Sequence, residues 1–144
     1  MPSHSFEKTV PFLQVNTPNG IVALPLVNVT LIQPNGNRVD LPLMFDTGAS
    51  VTTLRSDLYP LLGVPSWDSG TPRKTTTASG VADCYEYQAT LEFFGKAAVA
   101  CPVHLMQLPP NPLYVGLFGR AAMFDLFGFG FWESNRELYV TLSP

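Results

Sequence analysis

The run Leu41-Pro42-Leu43-Met44-Phe45-Asp46-Thr47-Gly48-Ala49-Ser50 decides how the rest of the chain is read. Val39, Leu41, Leu43 and Phe45 alternate with Arg38, Asp40, Pro42 and Met44, the period of a half-buried strand. That strand delivers a carboxylate, Asp46, at its carboxyl end, where burial is costly unless donors satisfy the charge. Thr47 and Gly48 can supply them, since a glycine lets backbone N–H groups approach closely and a threonine hydroxyl can fix neighbouring chain. Upstream, Val27 to Gln33 is joined to this strand by Pro34-Asn35-Gly36-Asn37. Asn-Gly between two apolar runs signals a hairpin, so Val27–Gln33 is expected to pair antiparallel with Arg38–Phe45.

The chain has 144 residues, which predicts one domain over 1–144, with residues 1–9 allowed as a disordered lead-in. Charged residues make up 13%, against about 25% in a typical soluble domain, and apolar residues 46%. That excess of apolar surface calls for burial, and an interface between subunits is one place for it. The net charge of −3, with eight scattered Lys and Arg, leaves no footprint for nucleic acid. No run of about 18 apolar residues is present, and Met1 to Lys8 lacks a cationic stretch followed by an apolar one. The expectation is a soluble chain without membrane segment or signal peptide, with the cytoplasm the favoured compartment.

Fourteen prolines and eleven glycines favour short strands and turns. Strands are predicted over Val10–Val15 and Ile21–Gln33, broken at Asn16-Thr17-Pro18-Asn19-Gly20. A short helix capped by Ser56 should end by Gly63, and Pro65–Pro72 should be a loop. A long hairpin comes next, with Arg73–Thr77 outgoing, Ala78-Ser79-Gly80 at the tip and Val81–Glu92 returning. The chain turns at Phe94-Gly95-Lys96 into Ala97–Met106, and Gln107–Pro112 is irregular because of its prolines. Ala121–Phe127 should be helical up to Gly128. Phe129–Glu133 and Glu137–Leu142 then form a terminal hairpin about Ser134-Asn135. The fold class is mostly β with one or two short helices.

Other constellations carry less. Cys84, Cys101 and His104 are three ligands without a fourth, so no metal is expected. A turn at Gly95-Lys96 sets Cys84 opposite about Gln107 and Cys101 opposite about Thr90, too far apart for a disulfide, so both are read as buried free thiols in a reducing compartment. No Gly-x-Ser-x-Gly elbow accompanies the histidines, and Gly128-Phe129-Gly130 lacks the third glycine of a dinucleotide loop. Phe127, Phe129, Phe131 and Trp132 read as core or interface aromatics. Asn28-Val29-Thr30 matches a glycosylation acceptor but sits in a strand. Asp68-Ser69-Gly70 repeats the Asp-x-Gly pattern without an apolar strand before it and reads as a turn.

Asp46-Thr47-Gly48 resembles the active-site loop of aspartic proteases. Ala49 to Leu54 and Tyr59 to Val64 are similar to the segment after that loop in single-domain, retropepsin-like members. Val115-Gly116-Leu117-Phe118-Gly119-Arg120 resembles the hydrophobic-hydrophobic-Gly-Arg element before their short carboxyl-terminal helix. The resemblance spans roughly residues 21 to 142. It implies a closed β-barrel-like retropepsin fold with a flap hairpin, and an aspartic endopeptidase that needs no cofactor. A retropepsin cuts peptides with two carboxylates sharing one proton. Only Asp46 stands in a strand-borne loop, and the chain is too short for a second lobe, so the partner is Asp46 of a second copy in a homodimer.

Carried over residue by residue, Asp46, Thr47 and Gly48 form the catalytic loop, with Thr47 bonding across the two-fold axis. Met44, Ala49, Val51, Thr53, Ala78, Ser79, Gly80, Tyr114, Val115 and Leu117 would line an apolar cleft for peptides with hydrophobic residues at the cut bond. Gly119 and Arg120 would be structural. Val10–Val15 and Leu138–Leu142 would interleave with a partner. Viral members carry an acidic residue where Ser50 stands, so Arg120 is expected to be partly buried against backbone carbonyls or another acid. The alternatives are a non-catalytic dimerisation or peptide-binding module of the same fold and a metal-dependent hydrolase using Asp46 and His104.

Overall fold

The computed structural model describes residues 6–142, and its elements are almost all strands. They are β1 (Lys8–Pro11), β2 (Leu13–Thr17), β3 (Gly20–Leu24), β4 (Leu26–Ile32), β5 (Arg38–Phe45), β6 (Thr52–Arg55), β7 (Thr71–Thr77), β8 (Gly80–Phe93), β9 (Lys96–Met106), β10 (Gly116–Phe118), β11 (Gly128–Trp132) and β12 (Glu137–Thr141). A 3₁₀ segment covers Ser56–Leu62, a single α-turn, α1, covers Met123–Leu126, and another 3₁₀ turn covers Glu133–Asn135.

The main sheet has the order β4-β5-β10-β6-β9-β8-β7, and β4 also pairs with β8 through Thr30–Glu92, Leu31–Leu91 and Ile32–Thr90. The ladder therefore returns to its first strand, leaving β7 outside the ring. β4 and β5 pair antiparallel as expected, Val27 with Leu43 and Val29 with Leu41. Leu41, Leu43 and Phe45 are buried, as the period-two pattern requires. Phe45 and Phe118 stack at 5.5 Å and lie in one apolar core with Val29, Leu31, Leu54, Leu91, Leu105, Leu138 and Val140.

Prolines cut two expected strands. Pro11 and Pro25 have no N–H to continue a ladder. Val10–Val15 splits at Phe12, which is buried and bonds through its N–H to the Arg136 carbonyl at 2.8 Å. Ile21–Gln33 splits at Pro25, whose carbonyl accepts from the Phe45 N–H at 2.9 Å. The lead-in allowed as disordered over residues 1–9 is paired from Lys8, which lies opposite Val140; residues 1–5 are outside the described residues. Gly63 stops the 3₁₀ segment with φ of 70°, as expected, but the N-cap is Arg55 rather than Ser56.

The helix predicted over Ala121–Phe127 is reduced to α1, preceded by Ala122 at φ of 65°. β1, β12 and β11 form a separate three-stranded sheet with β12 in the middle. With a neighbour on each side, β12 has no edge to offer a partner, and its Leu138 and Val140 are fully buried within this chain. Residues Leu138–Leu142 therefore do not stand free to interleave. Among the described residues no strand pairs with the outer edge of β1 or with that of β11, which carries exposed Phe131 and Trp132. No helix among the described residues is long and apolar enough to cross a membrane.

Candidate active site

Asp46 stands at the end of β5, half-buried, and its Oδ1 accepts the Gly48 N–H at 2.9 Å. The cradle expected from the Asp-Thr-Gly triplet is thus formed within the loop. The loop is strapped to a second segment by four bonds. Asp46 N–H donates to the Phe118 carbonyl at 3.1 Å, Gly119 N–H to the Thr52 hydroxyl at 3.0 Å, Arg120 N–H to the Ala49 carbonyl at 3.0 Å and Ala121 N–H to the Ser50 carbonyl at 2.9 Å.

This strapping comes from topology. β10 inserts between β5, to which it is parallel, and β6, to which it is antiparallel. The chain leaves β5, crosses the carboxylate loop and enters β6 on the far side of β10. There is no room for side chains at the crossing: a Cβ on Gly119 would lie 2.3 Å from the Val51 carbonyl carbon, and one on Gly116 2.1 Å from the Thr53 oxygen. Thr52, fully buried, satisfies a buried donor with its hydroxyl, a role the sequence reading missed.

Beside the loop is a cleft of about 440 Å³ lined by Asp46, Gly48, Ala49, Ser50, Val51, Thr53, Thr75, Thr76, Thr77, Ala78, His104, Met106 and Leu117. It gathers seven of the expected residues: Asp46, Gly48, Ala49, Val51, Thr53, Ala78 and Leu117. Ser50, the three threonines of β7, His104 and Met106 were not foreseen. Tyr114, Val115 and Leu117 line a neighbouring cavity with Arg55, Leu108 and Pro109. Met44, Thr47, Ser79 and Gly80 line neither, and Thr47 is exposed on the loop. The expected apolar cleft is instead rich in hydroxyls on its β6 and β7 walls.

Arg120 corrects the sequence reading. Its side chain is exposed and, among the described residues, makes no hydrogen bond or ion pair; only its backbone is engaged, the carbonyl accepting from Phe124 N–H at 2.9 Å. Arg120→Lys is therefore expected to leave the thermal midpoint within about 2 °C, the scale of a surface change. A fall of about 10 °C in a melting experiment would show a hidden partner for the guanidinium.

Asp68 lies in an exposed turn and does not reach the cleft. Gly70 of that turn is required for packing, since its N–H donates to the Tyr87 hydroxyl at 2.8 Å and a Cβ would lie 2.7 Å from the Tyr87 ring. The glycine of this second Asp-x-Gly is thus explained by a tyrosine. Cys84 and Cys101 are free and buried. The β8–β9 register, shifted by an irregularity between Ala89 and Leu91, sets Cys101 opposite Ala89 rather than Thr90. Burial pushes the Cys101 thiol up to about 11, and burial, then Asp83 and Glu86, raises that of Cys84, so neither is a ready nucleophile. The structure does bring Cys84 and His104 together, with Sγ 3.6 Å from Nδ1, while His104 Nε2 is 3.0 Å from Glu86 Oε1. The bond from His104, and then that from Arg73, hold the Glu86 carboxyl below its usual range.

A mostly-β domain that hangs one Asp-Thr-Gly loop between crossed strands defines the retropepsin-like class of aspartic proteases. Residues 27–121 match a family model described as Aspartyl protease. The chain belongs to that family. In fold it is similar to a retropepsin-like aspartic protease from Rickettsia conorii, with a TM-score of 0.58 and 19% identity over 93% of this chain and 98% of that one. No curated protein matches it in sequence.

Proposed function

We propose that this protein is an aspartic endopeptidase acting as a homodimer, with Asp46 of each copy contributing one of two catalytic carboxylates. The observation that carries the reading is the single strapped carboxylate, half-buried at the mouth of a cleft and held by Gly48. One carboxylate cannot be base and acid at once. Two about 3 Å apart share a proton, so the ionised one draws a proton from water as the other donates to the scissile carbonyl. Within one chain no second carboxylate lines the cleft among the described residues. A second copy facing the exposed Thr47 would supply it, and Thr47 would bond across the axis.

On this reading the ring of strand pairings is the barrel of the fold, and the β7–β8 hairpin, whose Ala78 reaches the cleft, is the flap. Substrates are extended peptides held by main-chain bonds as an added strand. Ala49, Val51, Leu117 and, in the adjoining cavity, Tyr114 and Val115 favour hydrophobic residues near the cut bond. The β11 edge with Phe131 and Trp132 and the outer edge of β1 are the surfaces offered to a second copy, in place of the central β12. Truncating Leu138–Pro144 would strip the core of this chain as well as any interface.

The test combines sedimentation with cleavage of a mixed peptide library. A dimer whose activity is blocked by a statine-type inhibitor and indifferent to chelators is expected. A dimer that binds peptides and cuts none would establish the non-catalytic module instead.

A further inference from the structure

The pairing register sets a row of side chains across one face of the sheet. Leu117 of β10 lies opposite Thr53 of β6, Thr53 opposite His104 of β9, and His104 opposite Glu86 of β8. Directly opposed residues share a face. The row thus grades from apolar to charged as it leaves β10, and its first three members line the cleft beside Asp46.

His104 is set firmly in that wall. Its side chain is only 12% exposed, and Glu86, bracketed by His104 at 3.0 Å and Arg73 of β7 at 3.4 Å, holds the ring through Nε2. With Glu86 accepting, Nε2 carries the proton and Nδ1 is left toward the Cys84 thiol at 3.6 Å, a weak partner. On the same pocket Thr53 donates to the Val51 carbonyl at 3.2 Å and keeps its oxygen free to accept. Thr75, half-buried on β7, adds a further hydroxyl-bearing side chain. An aliphatic group seated here would strip water from the Thr53 and Thr75 hydroxyls and replace none of their bonds. A carboxylate would share the pocket with Asp46, a like charge. A carboxamide or hydroxyl can both donate and accept.

We infer that Thr53, on a wall completed by His104, makes the pocket beside Asp46 a polar subsite that selects a neutral hydrogen-bonding side chain, Asn, Gln, Ser or Thr, at one position of the bound peptide. This rests on the peptidase reading for its consequence, and it revises the expectation of hydrophobic residues throughout. Thr53 is the specificity-determining residue in this scheme, with His104, held by Glu86, as the wall beside it.

The test walks Asn and Leu through each position of an octapeptide set. Cleavage is measured with the wild-type chain and binding, by fluorescence polarisation, with Asp46→Asn, which needs no chemistry. At one position Asn should exceed Leu by about tenfold, the scale of one net hydrogen bond. Thr53→Val should abolish that preference and leave the other positions as they were, whereas Thr53→Ser, which keeps the hydroxyl, should retain it. A preference for Leu at every position, or an unchanged profile in Thr53→Val, overturns the inference. Binding with the Asn preference but without cleavage upholds the subsite and sinks the endopeptidase. Cleavage with an unaltered profile does the opposite, and a protein that binds no peptide sinks both.

Discussion

Asp46→Asn is expected to reduce peptide cleavage by a factor of about 10³ or more while the fold and the dimer persist, the loss arising from removal of a proton-transferring group. The amide oxygen can accept the same Gly48 N–H that Asp46 Oδ1 accepts at 2.9 Å, so the loop keeps its cradle. What the amide cannot do is share or carry a proton. The consequence for mixed populations is sharper. If one active site spans two chains, activity at increasing mutant fraction falls with the square of the wild-type fraction, once subunit exchange is complete. A linear fall would mean that each chain works alone, and the shared-site mechanism would fail. The pH profile offers a second check: cleavage needs one proton on the carboxylate pair, so it should fall both where the pair is fully protonated and where it is fully ionised.

The parts of this molecule legible in its sequence are those set by local pattern. Alternating Leu41, Leu43 and Phe45 gave β5 its span and its buried face, and Asn35-Gly36 marked the hairpin that pairs it with β4, because both signals lie within a few residues. The Asp46 cradle was readable for the same reason, being closed by Gly48 two residues on. The wall of the cleft was not. Thr53 meets His104 through a parallel pairing between strands about fifty residues apart, and no local period announces such a contact.

Arg120 shows the opposite failure, where resemblance promised a buried guanidinium and the chain exposes it, with Ser50 in place of an acid beside it. The β12 strand shows a third. Its apolar alternation was read correctly as a strand, but periodicity cannot say whether the neighbours of Leu138 and Val140 belong to the same chain. Here they do: β1 and β11 flank β12, and its two inward residues close the core.

Gly119→Ala is expected to cost about 3 kcal/mol, at the upper end of overpacking in a tight site, and to lower the thermal midpoint by roughly 10 °C. The added methyl would meet the Val51 carbonyl carbon at 2.3 Å, the Val51 oxygen at 2.5 Å and the Thr52 nitrogen at 2.6 Å, all backbone atoms that cannot swing aside as a side chain would. Relief requires β10 to withdraw from β6. That movement loosens the bond from Gly119 N–H to the buried Thr52 hydroxyl and the bond from Asp46 N–H to the Phe118 carbonyl together, since residues 118 and 119 carry both. Activity should therefore fall further than stability alone explains, measured below the new midpoint where the chain remains folded. A melting curve and cleavage rate both unchanged would mean that β10 can shift away from the carboxylate loop freely, and the strapping of Asp46 between crossed strands would lose its place in the mechanism.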